Sequence, residues 1–133
     1  MAVFQSRTVA VSIDRDWREV YDFASMPQNL PCWAAGLGTR FEGAGQDWTA
    51  EDPDGRPIRI RFTAPNDFGV LDHVVIAPDA AESRNAMRVV ANGTGAEVLF
   101  TVLRMPGRSA EDFAADAAAV ERDLVTLKRL LEG

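Results

Sequence analysis

The chain is short of the residues that most often carry chemistry. Its 133 residues include one cysteine, Cys32, one histidine, His73, one tyrosine, Tyr21, and one lysine, Lys128. A lone cysteine excludes an internal disulfide and a thiolate metal cluster, so neither a metal nor another cofactor is expected. No apolar run approaches the roughly 18 residues of a membrane span. The first residues, Met-Ala-Val-Phe-Gln-Ser-Arg, form neither a basic nor an apolar leader region, and a cytoplasmic location is expected. A net charge of -6 argues against a surface that tracks phosphates or adheres to an anionic membrane. Gly36-Leu37-Gly38 lacks the third glycine of a dinucleotide loop and no strand leads into it. There is no serine-nucleophile motif and no repeat. Residues 1–133 are therefore expected to form one domain, with a small molecule as partner rather than a nucleic acid or a membrane.

What is present is organised around the C-terminal run 109–132. Phe113, Ala117, Val120, Leu124, Leu127 and Leu131 fall within one arc at 100° per residue, opposite Glu111, Arg122 and Arg129. Ser109 with Asp112 is a capping-box start, and Lys128 and Arg129 suit the negative end of the dipole. A helix of that length is about 33 Å long, enough to cross a sheet.

Upstream, 3–13 alternates Val9, Val11 and Ile13 with small polar residues and reads as a strand. Asp16 and Glu19 open a short helix containing Trp17, Val20, Tyr21 and Ala24, and a second short helix runs from Pro31 through Trp33 to Leu37. From Gly38 onward turn residues separate six candidate strands: 39–42, 47–51, 57–64, 70–76, 86–91 and 96–103. Turn-linked short strands pair antiparallel, and helices confined to the flanks make an α+β fold. With Arg59, Arg61, Asp72, Arg88 and Glu97 facing water, the other parity points Ile58, Ile60, Phe62, Leu71, His73, Val75, Met87, Val89, Val98, Phe100 and Val102 inward, joined by Trp48 and Ala50.

This order of elements, with the stretch Asn29-Leu30-Pro31-Cys32-Trp33-Ala34-Ala35-Gly36-Leu37 and the long last helix, resembles the START-like, Bet v 1-like proteins. Their bacterial members are called polyketide cyclase/dehydrase or SRPBCC proteins. The resemblance implies a helix-grip fold: a curved seven-stranded antiparallel sheet wrapped around the C-terminal helix, two short helices after the first strand, and a cavity for apolar or amphipathic molecules. It carries no diagnostic catalytic motif, and such a fold hosts carriers, receptors, cyclases and co-chaperone-like domains.

The expected cavity wall comprises Trp33, Trp48, Ile60, Phe62, Leu71, His73, Met87, Val89, Phe100, Val120 and Leu124, with Arg7 and Tyr21 at the rim. His73 is the one inward group that titrates near neutrality, suited either to hold a ligand oxygen or to move a proton. Asp72 cannot orient it through the chain, since neighbouring strand residues face opposite ways. Nothing in the spacing pairs Cys32 with His73. An empty apolar void of about 300 Å3 would cost on the order of 7 kcal/mol, so the cavity is expected small, hydrated or filled. Three functions fit: binding of a small apolar or aromatic molecule, a cyclase or dehydratase reaction using His73, and a protein-interaction module. A monomer or a homodimer suits each.

Overall fold

A computed structural model describes residues 3–133. Strand β1 is Ser6–Ile13, followed by helix α1, Trp17–Ala24, a 3₁₀ turn at Pro27–Asn29 and helix α2, Leu30–Trp33. Six strands come next: β2 Thr39–Ala44, β3 Asp47–Glu51, β4 Pro57–Phe62, β5 His73–Ile76, β6 Glu82–Asn92 and β7 Gly95–Leu103. Helix α3, Ala110–Glu132, closes the chain. All pairings are antiparallel in one seven-stranded sheet of order β1-β7-β6-β5-β4-β3-β2. The expected α+β architecture is the observed one.

Several boundaries differ, each for a local reason. The first strand begins at Ser6 rather than residue 3. The second short helix stops at Trp33 rather than reaching Leu37, because Ala34 has left helical backbone at φ -109°, ψ 45°. The strand expected over 70–76 begins only at His73. Ahead of it, Asn66 organises the turn: its side chain accepts from the N–H groups of Phe68 and Val70 and donates to the carbonyls of Ala64 and Val70. Gly69, at φ +71°, lies so close to the Val89 carbonyl that a Cβ would collide with it. Conversely β6 starts at Glu82, four residues earlier than expected, since 82–85 pair with β5 despite their polarity. Backbone pairing outweighs side-chain character there.

Helix α3 starts as expected, with the Ser109 hydroxyl accepting from Asp112 N–H at 3.0 Å. The Asp112 carboxylate turns instead toward Arg108, 3.9 Å away. The helix packs chiefly on β1, β7 and α2, burying Phe113, Ala117, Leu124, Leu127 and Leu131. Its C-terminal end is clamped to the β1–α1 connection. Lys128 donates to the Ser12 carbonyl at 2.6 Å, Glu132 accepts from Asp14 N–H at 2.8 Å, and Arg15 donates to the Leu131 carbonyl at 2.6 Å. The principal core gathers Val9, Ile13, Val20, Leu30, Trp33, Met87, Val89, Val98, Leu124 and Leu127 between this end of the helix and the β1-β7-β6 half of the sheet.

Candidate functional site

Two smaller apolar clusters adjoin the main core. One is Ala50, Ile58 and Ile60 on β3 and β4, and the other is Val102, Phe113 and Ala117 between β7 and the start of α3. Leu37, Phe41 and Phe62 pack against both the main core and the β3–β4 cluster. Phe100 and Val120 pack against both the main core and the β7–α3 cluster. These shared residues keep partial solvent exposure although they point inward. The inner face is therefore least tightly covered along these shared residues.

His73 stands beside two of them. It is the first residue of β5, paired in register with Phe62, and its ring lies 5.9 Å from Phe62 and 5.8 Å from Phe100, edge-on to the latter. It is the one buried polar or charged residue among those described, at 8 % exposure. Burial pushes its imidazole below the ordinary value, outweighing the Leu71 carbonyl and the Asp72 charge, so the ring is neutral near pH 7. The Leu71 carbonyl lies 3.1 Å from Nδ1 and accepts no bond from a bare lone pair, so Nδ1 carries the proton. Nε2 is then an acceptor.

Asp72 is committed elsewhere. Its carboxylate takes two bonds from Arg88, at 3.0 and 2.9 Å, and one from Met87 N–H at 2.9 Å, and the Arg88 guanidinium holds it below the usual carboxylate range. Cys32 is exposed, whereas His73 is buried.

The remaining expected wall residues divide. Phe62, Leu71, Phe100 and Val120 are partly exposed, while Ile60, Met87, Val89 and Leu124 are buried at 1 or 2 %. Trp33 is buried at 8 % exposure in the main core, and its indole N–H meets no acceptor among the described residues. Trp48 is buried away from the junction: its ring packs on Gly43, where a Cβ would clash, and its N–H donates to the Gly45 carbonyl at 2.9 Å. It closes the β2–β3 hairpin. Tyr21, expected at the rim, is buried, with its hydroxyl accepting from Asn66 N–H at 2.8 Å. Arg7 is exposed at the end of β1, opposite the buried Val102.

Two features escape the sequence reading. Asp123 on α3 accepts the Gly36 N–H at 3.1 and 3.0 Å, and burial pushes its carboxyl up to about 6 despite that bond and the nearby Arg122. The signal available was its place at the edge of the apolar arc, beside Leu127. The second is a pair of depressions of about 270 and 630 Å3 on the other side of the sheet. They share Thr49, Arg59 and Ile76, which face one another across β3, β4 and β5. Among the described residues no cluster of three or more histidine, cysteine or acidic side chains is arranged to hold a metal, and no helix is long and apolar enough to cross a membrane.

No family model and no curated protein matches the sequence. Solved structures are similar in fold. DynU16, from the dynemicin biosynthetic locus, superposes with a TM-score of 0.72 at 18% identity over 96% of this chain. The present chain spans 47% of DynU16's length. An uncharacterized Bacillus thuringiensis protein gives a TM-score of 0.73 at 16% identity, covering 96% of this chain and 98% of its own. The Aha1 dimer of Colwellia psychrerythraea, solved in solution, gives 0.73 at 14% identity, with 96% of both chains covered. The chain has a helix-grip fold. At these identities the likeness carries architecture and nothing about ligand or reaction.

Proposed function

We propose that this protein, acting in the cytoplasm as a single domain, binds a small apolar or aromatic molecule between the sheet and α3, in the manner its resemblance to SRPBCC proteins implies. The observation that carries the reading is the junction itself. Partly exposed Phe62 and Phe100 flank a single buried imidazole there, and Leu37, Phe41 and Val120 bridge the adjoining clusters. An apolar wall with few polar groups is what a small-molecule site needs, and the polar groups set orientation.

Binding is favoured over acid–base chemistry by the surroundings of His73. A general base works best with a pKa near the operating pH and with a partner that stabilises the imidazolium. Here burial disfavours the charged ring, Nδ1 is tied to a backbone carbonyl, and the adjacent carboxylate serves Arg88. The imidazole is suited to accept a ligand hydroxyl at Nε2.

The test is a titration with 1-ethylnaphthalene followed by tryptophan fluorescence. Saturable one-to-one binding is expected, lost in Val120→Trp, which fills the junction, and kept in Ile76→Ala, which alters only the outer depressions. Binding that survives Val120→Trp and disappears in Ile76→Ala would transfer the site to the outer face.

A further inference from the structure

The indole N–H of Trp33 is the one fully buried side-chain polar atom among the described residues that meets no hydrogen-bond partner. Folded proteins rarely leave such a donor orphaned, because it forfeits its water without compensation. Trp33 ends α2, just before the segment in which Leu37 joins the main core to the β3–β4 cluster. It belongs to the main apolar core, against which the partly exposed Phe62, Leu71, Phe100 and Val120 also pack. Polar side chains on α1, α3 and the 3₁₀ turn are already used: the Tyr21 hydroxyl accepts from the Asn66 N–H, Asn29 donates to the Phe23 carbonyl, and Asp123 accepts from the Gly36 N–H.

We propose that Trp33 is the specificity-determining donor of the site, so that the molecule bound is apolar in body but carries an oxygen acceptor, such as an aryl ketone, that takes the indole N–H. This rests on the binding role proposed above and adds to it the chemical class of the ligand. A hydrocarbon of the same shape leaves the donor orphaned and is bound less well. His73 Nε2, as an acceptor, complements Trp33: a ligand bearing both a carbonyl and a hydroxyl satisfies both groups.

The experiment compares 1-acetonaphthone with 1-ethylnaphthalene, which differ by a carbonyl in place of a methylene. With 15N-labelled tryptophan in the intact protein, the three indole N–H signals are followed through each titration, and Trp33 is assigned from Trp33→Phe. The ketone is expected to move the Trp33 signal downfield relative to the hydrocarbon and to bind about five-fold more tightly, as one net hydrogen bond provides. Trp33→Phe should erase that preference. Equal affinities with an unmoved Trp33 signal, or a Trp33 N–H that keeps contact with water when the ketone is bound, would overturn the proposal and leave the binding role standing. Failure of both compounds to bind would overturn both. If Trp33→Phe does not fold, the Trp33 signal of the unmutated protein is assigned by elimination from Trp17→Phe and Trp48→Phe, and its response still decides the matter.

Discussion

The two halves of the sheet are built to different ends. On the β1-β7-β6 side, α3 and α1 cover the inner face, central side chains such as Val20, Val98 and Leu127 are fully excluded from water, and three polar contacts fasten the end of α3 to the turn after β1. On the β5-β4-β3 side the buried cluster has three members, and its neighbours Leu37, Phe41, Phe62 and Val75 remain partly exposed. The closed half supplies the stability; the open half supplies the surface that the proposed ligand would cover. A small domain with a net stability of roughly 5 to 15 kcal/mol can leave one side loosely filled only because the other is packed.

The largest effect should come from the closed half. Leu127→Ala removes a side chain with no exposure and is expected to cost about 3 kcal/mol in urea denaturation with little change in the affinity for 1-ethylnaphthalene. Phe62→Ala reverses the balance: only partly buried, it is expected to cost about 1.5 kcal/mol while binding weakens several-fold. Comparable stability losses at the two positions would dissolve the distinction.

Asp123 joins α3 to the segment bearing Leu37 and should show itself through pH. Its folded carboxyl is raised to about 6 from an ordinary 3.8, so the folded state holds the proton more tightly. The stability it contributes is full below about 3.8 and is lost as pH rises through about 6. Asp123→Asn should therefore be more stable than the parent at pH 7, with the gap closing toward pH 4. His73 acts in the opposite sense, since burial lowers it below 6.5 and its contribution is present above that value and lost as pH falls. Relative to His73→Gln, the parent should lose stability on acidification from pH 7 to 5. Parallel melting curves of parent and variants over this range separate the two. His73→Gln should also leave affinity for 1-ethylnaphthalene within a few-fold. The smallest effect is expected at Asp72→Asn: its Arg88 pair is about half exposed, and its loss should cost under about 1 kcal/mol, with ligand affinity unmoved.

Much of the closed half was legible in the sequence, because a long helix with a regular apolar arc and strands with strict alternation state their buried faces directly. The same parity correctly set Asp72 against His73 and paired Phe62, His73 and Phe100 on one face. The open half was harder to read. Phe41 turns inward through an irregularity in the β2–β3 pairing and a left-handed Arg40 at φ +56°, neither of which alternation reveals. Leu37 lies in a hydrogen-bonded turn after α2 rather than on a helix face, and Trp48, inward by parity, is spent on its own hairpin. Asp123 depends on a contact across 87 residues, which no local pattern encodes. Where function is proposed, tertiary contacts set the geometry, and local rules lose their grip.

The most direct measurement is a methyl-labelled NMR titration with 1-ethylnaphthalene. The open-half reading predicts shifts concentrated at Leu37, Leu71, Val75 and Val120, with Val9, Ile13 and Leu131 unmoved. Shifts centred on Ile76, or spread evenly through the β1-β7-β6 core, would contradict it.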